Sequence, residues 1–273
     1  MAEVVAASHE TVAVPGTGLR IHVATWSGPA GALPLVMLHG IWDTWQTFER
    51  TASRLAAERT VHALDLRGHG ESDKPDEGYE PGDYAADVRG VLDHLGYREI
   101  ALLGFSLGSL VASSLVATEP GPVARLILED PPYSPGADLR GRAAWLRSLL
   151  ELKRLPFEEV VEGLSELNPT RDRATVELSA RALMNTADGP FQASLDRREA
   201  VGVPGFLRGW SRPTLLLQAD PALGAALSDE GREALRAVVP QARVVNFPGS
   251  GHLIHAERED AFVEAVGAFL RAE

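Results

Sequence analysis

Short apolar blocks separated by amphipathic stretches recur along most of this chain. Residues 11–15 and 19–26 alternate β-branched and polar positions around Gly16 and Gly18, which predicts a hairpin. Beyond the linker 28–31, the run Leu33, Leu35, Val36, Met37, Leu38 has the continuous apolar character of a strand buried on both faces. A helix is predicted over 44–58 and a strand over 61–66, followed by a loop rich in Gly, Asp and Pro at 67–82. Helical period returns at 83–95, a strand at 100–103, a helix at 106–118 and a strand at 126–128. This alternation predicts an α/β chain whose parallel sheet is covered by helices on both faces.

The rhythm breaks over 140–200, where helical patterns at 140–154, 158–167 and 174–186 follow one another without a strand. Pro156, Pro169, Gly189 and Pro190 punctuate them. An inserted helical cap is the expected arrangement, so the chain divides into core 1–132, cap 133–210 and core 211–273. Alternation then resumes with a strand at 213–218, a helix at 229–238, a strand at 243–247 and a helix at 257–271.

Composition narrows the chemistry. The chain has 273 residues, is 45% hydrophobic and 23% charged, and is therefore expected to fold around a core. It contains no cysteine, which removes disulfides, thiolate nucleophiles and Cys-ligated metals. A net charge of -12 has the wrong sign for nucleic acid or anionic lipid. The first residues lack the basic and apolar segments of a signal peptide, so a cytoplasmic location is expected. Residues 100–118 carry no charge and reach the length of a spanning helix. Gly104, Ser106, Gly108, Ser109, Ser113 and Ser114 interrupt them, and a buried strand turning into a buried helix accounts for the run better.

Gly104-Phe105-Ser106-Leu107-Gly108 satisfies G-x-S-x-G between a predicted strand and a predicted helix. A serine on so sharp a turn holds strained backbone angles, and flanking glycines let the chain pass close to its neighbours. Ser106 is therefore the candidate nucleophile, against the ordinary alternative of a helix cap. Backbone donors for an oxyanion would be Leu107 N–H at the same turn and Ile41 N–H in His39-Gly40-Ile41-Trp42. His39 is expected to hold that loop by hydrogen bonds. His252, in the flexible Gly249-Ser250-Gly251-His252 loop, is the candidate base. His9, His22, His62, His69 and His94 are expected at the surface or in loops. Asp43 reads as part of a helix start. No H-E-x-x-H, GxxxxGK[ST] or GxGxxG after a strand is present, so neither metal nor cofactor is expected.

The segments HGIWDTW, ALDLRGHGESDKP, LLGFSLG, PTLLLQAD and FPGSGHLIHAE occur in an order and spacing that resemble the α/β-hydrolase family over nearly the whole chain. The resemblance implies an eight-stranded, mostly parallel sheet, a cap after the sixth strand, and catalytic residues in the order Ser, acid, His. The acid has two candidates. In most members it follows the seventh strand in a GxxD-like pattern. Here Ala219-Asp220-Pro221-Ala222 departs from that pattern, with Asp220 two residues early. Some members, among them certain dehalogenases and fungal lactonases, place the acid at the end of the sixth strand, where Glu129 and Asp130 lie. Glu129 should point to the opposite side by the period of two, so Asp130 is favoured over Asp220.

The resemblance with a serine nucleophile implies a cofactor-free hydrolase of carboxylic esters or lactones, and separates this chain from members that use a carboxylate at the elbow. Carbon–carbon bond hydrolases, thioesterases and a low-turnover ligand receptor remain as alternatives. Apolar residues of the cap, with Trp42 and Tyr133 as the aromatics lining the pocket, suit a mostly hydrophobic small molecule. The expected partner is that ester or lactone, with neither nucleic acid nor membrane, and a homodimer is left open.

Overall fold

The computed structural model describes residues 6–133, 139–169, 171–196 and 207–272. The expected cap boundaries adjoin 134–138 and 197–206, which lie outside the described residues. β1 (Ser8–Ala13) and β2 (Arg20–Trp26) form the expected antiparallel hairpin. β3 (Leu35–Leu38), β4 (Val61–Leu64), β5 (Ile100–Phe105), β6 (Val123–Glu129), β7 (Thr214–Ala219) and β8 (Arg243–Phe247) run parallel to one another, and β2 joins β4 antiparallel. The result is one eight-stranded, mostly parallel sheet in the order β1-β2-β4-β3-β5-β6-β7-β8.

Alternate residues of each inner strand feed two apolar layers. Leu35 and Met37 of β3 pack with residues of α1 (Glu49–Leu55) and α10 (Glu259–Arg271). Val36 and Leu38 pack with α2 (Pro81–Leu95) and α3 (Leu107–Thr118) on the other face. α2 starts two residues before its apolar period, because Pro81 suits the first helical turn and Glu80 and Asp83 form a reciprocal capping box. The helix expected over 44–58 instead opens as a 3₁₀ turn at Trp45–Phe48 before α1. There Asp65 Oδ1 accepts the Trp45 N–H at 2.8 Å, a tertiary contact that local propensity does not encode.

The uncharged run 100–118 is β5, Ser106 and α3, and among the described residues no helix is long and apolar enough to cross a membrane. Between β6 and β7 lie α4 (Leu139–Leu152), α5 (Phe157–Leu167), α6 (Arg173–Asn185) and α7 (Gly189–Asp196). Leu149, Val161, Leu164, Leu183 and Phe191 give these helices an apolar cluster of their own, against which Ile41 and Trp42 of the core pack. α7 was not expected, since Gly189 and Pro190 read as breakers. Proline is tolerated in a first helical turn, and here it occupies one. Late in the chain, α8 (Asp229–Val238) matches the expected span, whereas the helix expected over 257–271 is divided. The short α9 (Ile254–Glu257) ends at Arg258, where φ −132° and ψ 46° break the helix before α10.

Two histidines expected at the surface or in loops are buried on strands. His22 on β2 bonds Asp65 Oδ2 through Nδ1 (3.0 Å) and His9 Nδ1 through Nε2 (3.2 Å). His62 on β4 bonds Thr25 Oγ1 and Tyr97 OH (2.8 and 3.1 Å). Both ring nitrogens are satisfied in each, which is the condition for burying an imidazole. His69 is in a loop, but buried as well.

Loop 67–80 is pinned to α2 by a buried ion pair. Arg67 donates through Nε and Nη2 to the two carboxylate oxygens of Asp87 (2.5 and 2.8 Å) and through Nη1 to Gly78 O (2.8 Å). Removing one partner strands the other charge. Asp87→Ala is therefore expected to lower the unfolding free energy by about 3–5 kcal/mol, read as a shifted urea midpoint; a change below about 1 kcal/mol, the worth of a surface pair, would contradict this role.

Candidate active site

The carboxyl ends of β3, β5 and β6 and the loop after β8 converge at one edge of the sheet, the usual position for a site in an open parallel sheet. Ser106 joins β5 to α3 with φ 51° and ψ −112°. Its N–H donates to Glu129 O at 3.1 Å, and Gly108 N–H donates to His39 O at 3.0 Å, so the turn is tied to β6 on one side and to the loop after β3 on the other. The flanking glycines are required by contact. A Cβ on Gly104 would meet Gly108 O at 2.2 Å, and one on Gly108 would meet Leu38 O at 2.1 Å.

Among the described residues, Ser106 and Asp130 are the two non-glycine positions with positive φ. Asp130, at φ 39°, follows β6 and turns its carboxylate toward the loop after β8. His252 Nδ1 donates to Asp130 Oδ2 at 2.6 Å. The same carboxylate accepts backbone N–H groups from Ala226 (2.7 Å), Ala219 (3.3 Å) and Leu227 (3.4 Å), so its orientation is set before the imidazole arrives. Asp130 is fully buried, whereas the His252 side chain is 22% exposed. With Nδ1 committed to Asp130, Nε2 is the nitrogen left for proton transfer.

Asp220 makes a different set of bonds. Its Oδ1 accepts Ala222 N–H and its Oδ2 accepts Gly249 N–H, both at 2.9 Å. These backbone donors hold its carboxyl below the usual carboxylate range. It caps the turn after β7 and holds the start of the His252 loop, and the structure brings Asp130, not Asp220, to the ring.

Glu129 points to the opposite face of β6, as the period of two requires. Its Oε1 accepts both the backbone N–H and the Nδ1 of His255 (2.9 and 2.8 Å), and His255 Nε2 reaches Thr47 Oγ1 at 2.8 Å. Sequence reasoning did not foresee this fully buried pair. Its signal is the doubling of Glu129-Asp130 against His252 and His255. Asp43, read as part of a helix start, lies just before the Thr44 cap of the 3₁₀ turn and is buried. Burial raises its carboxyl above the usual range, with His255, Arg171 and His252 acting in the opposite direction.

His39 holds the loop after β3. Its Nδ1 donates to Gly40 O (2.7 Å) and its Nε2 accepts Leu66 N–H (3.0 Å). Burial, reinforced by the neighbouring His69, pushes its imidazole down to about 3. Held in one neutral tautomer, it shapes the loop that carries Ile41.

A cavity of about 620 Å³ opens over these strand ends, lined by Ser106, His252, Ile41 and Leu107 together with cap residues such as Trp145, Leu146, Leu149 and Leu164. Leu107 N–H is the first of α3, where no intrahelical acceptor exists. Trp42 lines the cavity and meets Trp145 edge-on, with ring centroids 5.0 Å apart. Tyr133 does not line it. That expectation is corrected, because the ring is fully buried in the core and its hydroxyl shares a 2.7 Å hydrogen bond with Ser113 Oγ. The backbone after Asp130 turns it inward. Arg171 and Glu257, also unforeseen, lie on the cavity wall. Among the described residues, no group of three His, Asp or Glu side chains could hold a metal ion.

Residues 35–265 match the model of the alpha/beta hydrolase family. The chain is 29% identical over 259 residues to a 2-(acetamidomethylene)succinate hydrolase of Mesorhizobium japonicum, covering 89% of this chain and 90% of that one. It is 33% identical over 128 residues to mouse epoxide hydrolase 4, covering 46% of this chain but only 35% of that longer protein. Among solved structures, an esterase from Rhodococcus sp. ECU1013 superposes with a TM-score of 0.79 at 27% identity, covering 98% and 99% of the two chains.

The buried neutral imidazoles give a pH test. His39 is pushed down to about 3 and His62 to about 4, each by burial. Below about 6.5 the unfolded chain therefore binds protons that the folded chain refuses. Stability should fall with decreasing pH across this window, by about 1.4 kcal/mol per pH unit for each group. His22 is raised, because its hydrogen bond to Asp65 and the charges of Asp65 and Glu71 outweigh the lowering by burial. Its contribution is lost at higher pH, above that window, and does not cancel the effect. Urea unfolding at pH 6.5 and pH 5 checks this, and His62→Gln should remove one share of the slope; a flat profile would refute it.

Proposed function

The chain belongs to the alpha/beta hydrolase family, and from that premise we propose that it is a serine hydrolase of carboxylic esters or lactones of mostly hydrophobic small molecules. The observation that carries the reading is the 2.6 Å bond from His252 Nδ1 to a buried Asp130, beside a cavity that Ser106 also lines. Ser106 Oγ attacks the substrate carbonyl while His252 Nε2 takes its proton, and Asp130 stabilises the resulting imidazolium. Ile41 and Leu107 N–H groups receive the oxyanion without reorganisation. Collapse expels the alcohol, which takes the proton from His252 and leaves an acyl group on Ser106. Water, deprotonated by His252, attacks that acyl carbon, and the acid leaves as Ser106 recovers its proton.

A serine at the elbow favours this chemistry over the alkyl-ester route of family members with a carboxylate there. Thioester or carbon–carbon bond hydrolysis would use the same residues, and a low-turnover receptor would retain them without the rate. The Mesorhizobium japonicum relative favours a second reading, in which the substrate carries carboxylates. Arg142 and Arg171 on the cavity wall are the side chains that support it.

A panel of p-nitrophenyl esters, lactones and an acid-bearing ester, run with a serine-directed phosphonate, tests both readings. Hydrolysis and labelling of Ser106 are expected, and the absence of both would favour the receptor. Ser106→Ala should lower kcat by at least about 10³-fold with little change in Tm; retention of more than about one per cent of turnover excludes it as the nucleophile.

Asp130→Asn should lower kcat by about 10³–10⁴-fold, because an amide stabilises the wrong imidazole tautomer and cannot balance its charge. Asp220→Asn should lose less than about tenfold. The reverse ranking would move the acid to the end of β7.

A further inference from the structure

The segment between β8 and α9 that presents His252 is held at two points by carboxylates other than Asp130. Asp220 grips Gly249 N–H from the core side, at 2.9 Å. Glu257 grips Gly251 N–H with Oε2 at 2.6 Å, one residue before the imidazole. A Cβ on Gly251 would lie 3.0 Å from both Glu257 oxygens, which shows how closely the carboxylate is seated on this backbone. The other oxygen, Oε1, accepts Arg171 Nε at 3.2 Å. Arg171 comes from the cap, between α5 and α6, and its own N–H donates to Asn168 O at 3.1 Å. The two side chains are only 7% and 14% exposed, so the pair is charge-assisted and poorly screened. Both line the cavity that Ser106 and His252 share. Glu257 is also the last residue of α9, where the helix breaks at Arg258.

We propose that Arg171 and Glu257 form a latch from the cap to the histidine loop, with Glu257 as the positioning residue that holds His252 in register and Arg171 as the cap side chain that holds Glu257. The catalytic consequence rests on the Ser106–His252–Asp130 reading. The mechanical one does not. With Gly249 fixed to the core and Gly251 fixed through Glu257 to the cap, a cap shift caused by a substrate in the cavity is transmitted to the loop one residue from the imidazole. Tight placement is worth rate, because small misplacement of a base is felt mainly in the transition state.

The test combines hydrogen exchange of the loop with steady-state kinetics on the full chain. Exchange of the 249–252 amides should accelerate at least about tenfold in Glu257→Ala and about threefold in Arg171→Ala, with α10 unchanged. On an ester substrate kcat should fall about 30-fold in Glu257→Ala and about fivefold in Arg171→Ala, with KM within about threefold. Glu257→Gln retains a carbonyl for Gly251 N–H and should recover most of the Glu257→Ala loss. Arg173→Ala, which removes exposed ion pairs on α6, serves as the control and should change neither reading. Unaltered loop exchange in Arg171→Ala overturns the latch. So does a lower Tm with unaltered kcat per folded molecule, and so does a rise confined to KM, which would make Arg171 a substrate contact. If Glu257→Ala does not fold, Arg171→Ala and the milder Arg171→Lys carry the same comparison from the cap side of the pair. If the unaltered chain hydrolyses no ester, the proposed function fails and the exchange data still decide the latch.

Discussion

Helix α3 approaches the sheet so closely that one methyl group at Gly108 would sit 2.1 Å from the carbonyl oxygen of Leu38. That approach governs the whole edge of the sheet that carries Ser106 and Asp130. It forces Ser106 to a positive φ, brings the first helical N–H groups toward the loop after β3, and lets Ser106 N–H bond Glu129 O on the neighbouring strand. The chain then leaves β6 at the same height, and Asp130, at its own positive φ, starts the turn that faces the loop after β8. A larger residue at either flanking glycine would push α3 off β5 and separate these strand ends.

The two carboxylates at the end of β6 show how one strand serves two layers. Glu129 and Asp130 are adjacent, so their side chains leave on opposite faces. Each takes one imidazole from the segment 252–255, His252 on Asp130 and His255 on Glu129. Phe105 separates them, with its ring centroid 4.7 Å from His252 and 5.0 Å from His255. Only His252 reaches the cavity; His255 is buried and finishes its hydrogen bonding at Thr47. The pairs are alike in chemistry and differ in solvent access. The buried one ties β6 to the 3₁₀ turn and α9, while the partly exposed one opens on the cavity that Ser106 also lines.

The cap contributes both apolar wall and charged connection. Trp145 and Leu146 line the cavity that Trp42 shares from the core, and this lining is mostly apolar. Arg171 crosses from the cap to Glu257 at the edge of the same cavity. A binding cavity closed partly by a separate helical layer can thus report its occupancy to the histidine loop through one ion pair.

Local pattern was enough to reveal the order of strands and helices, since buried parallel strands are short apolar runs and the covering helices keep their own period. It also revealed the serine turn, because the G-x-S-x-G glycines are a steric requirement of the turn itself. What it left open were contacts between residues far apart in the chain. Local pattern favours Asp130 over Asp220 but leaves both open, and it is the folding of the Ala226-Leu227 backbone around one carboxylate and of the Gly249 turn around the other that brings Asp130 to His252. Tyr133 looked like a pocket aromatic because it follows Asp130, yet the chain direction after a positive-φ residue sent its ring into the core. His22 and His62, expected at the surface or in loops, are buried on strands where Asp65, Thr25 and Tyr97 supply partners. Periodicity and steric rules are local and can be read in one dimension, whereas the partner of a buried polar group is chosen by the packing of distant segments.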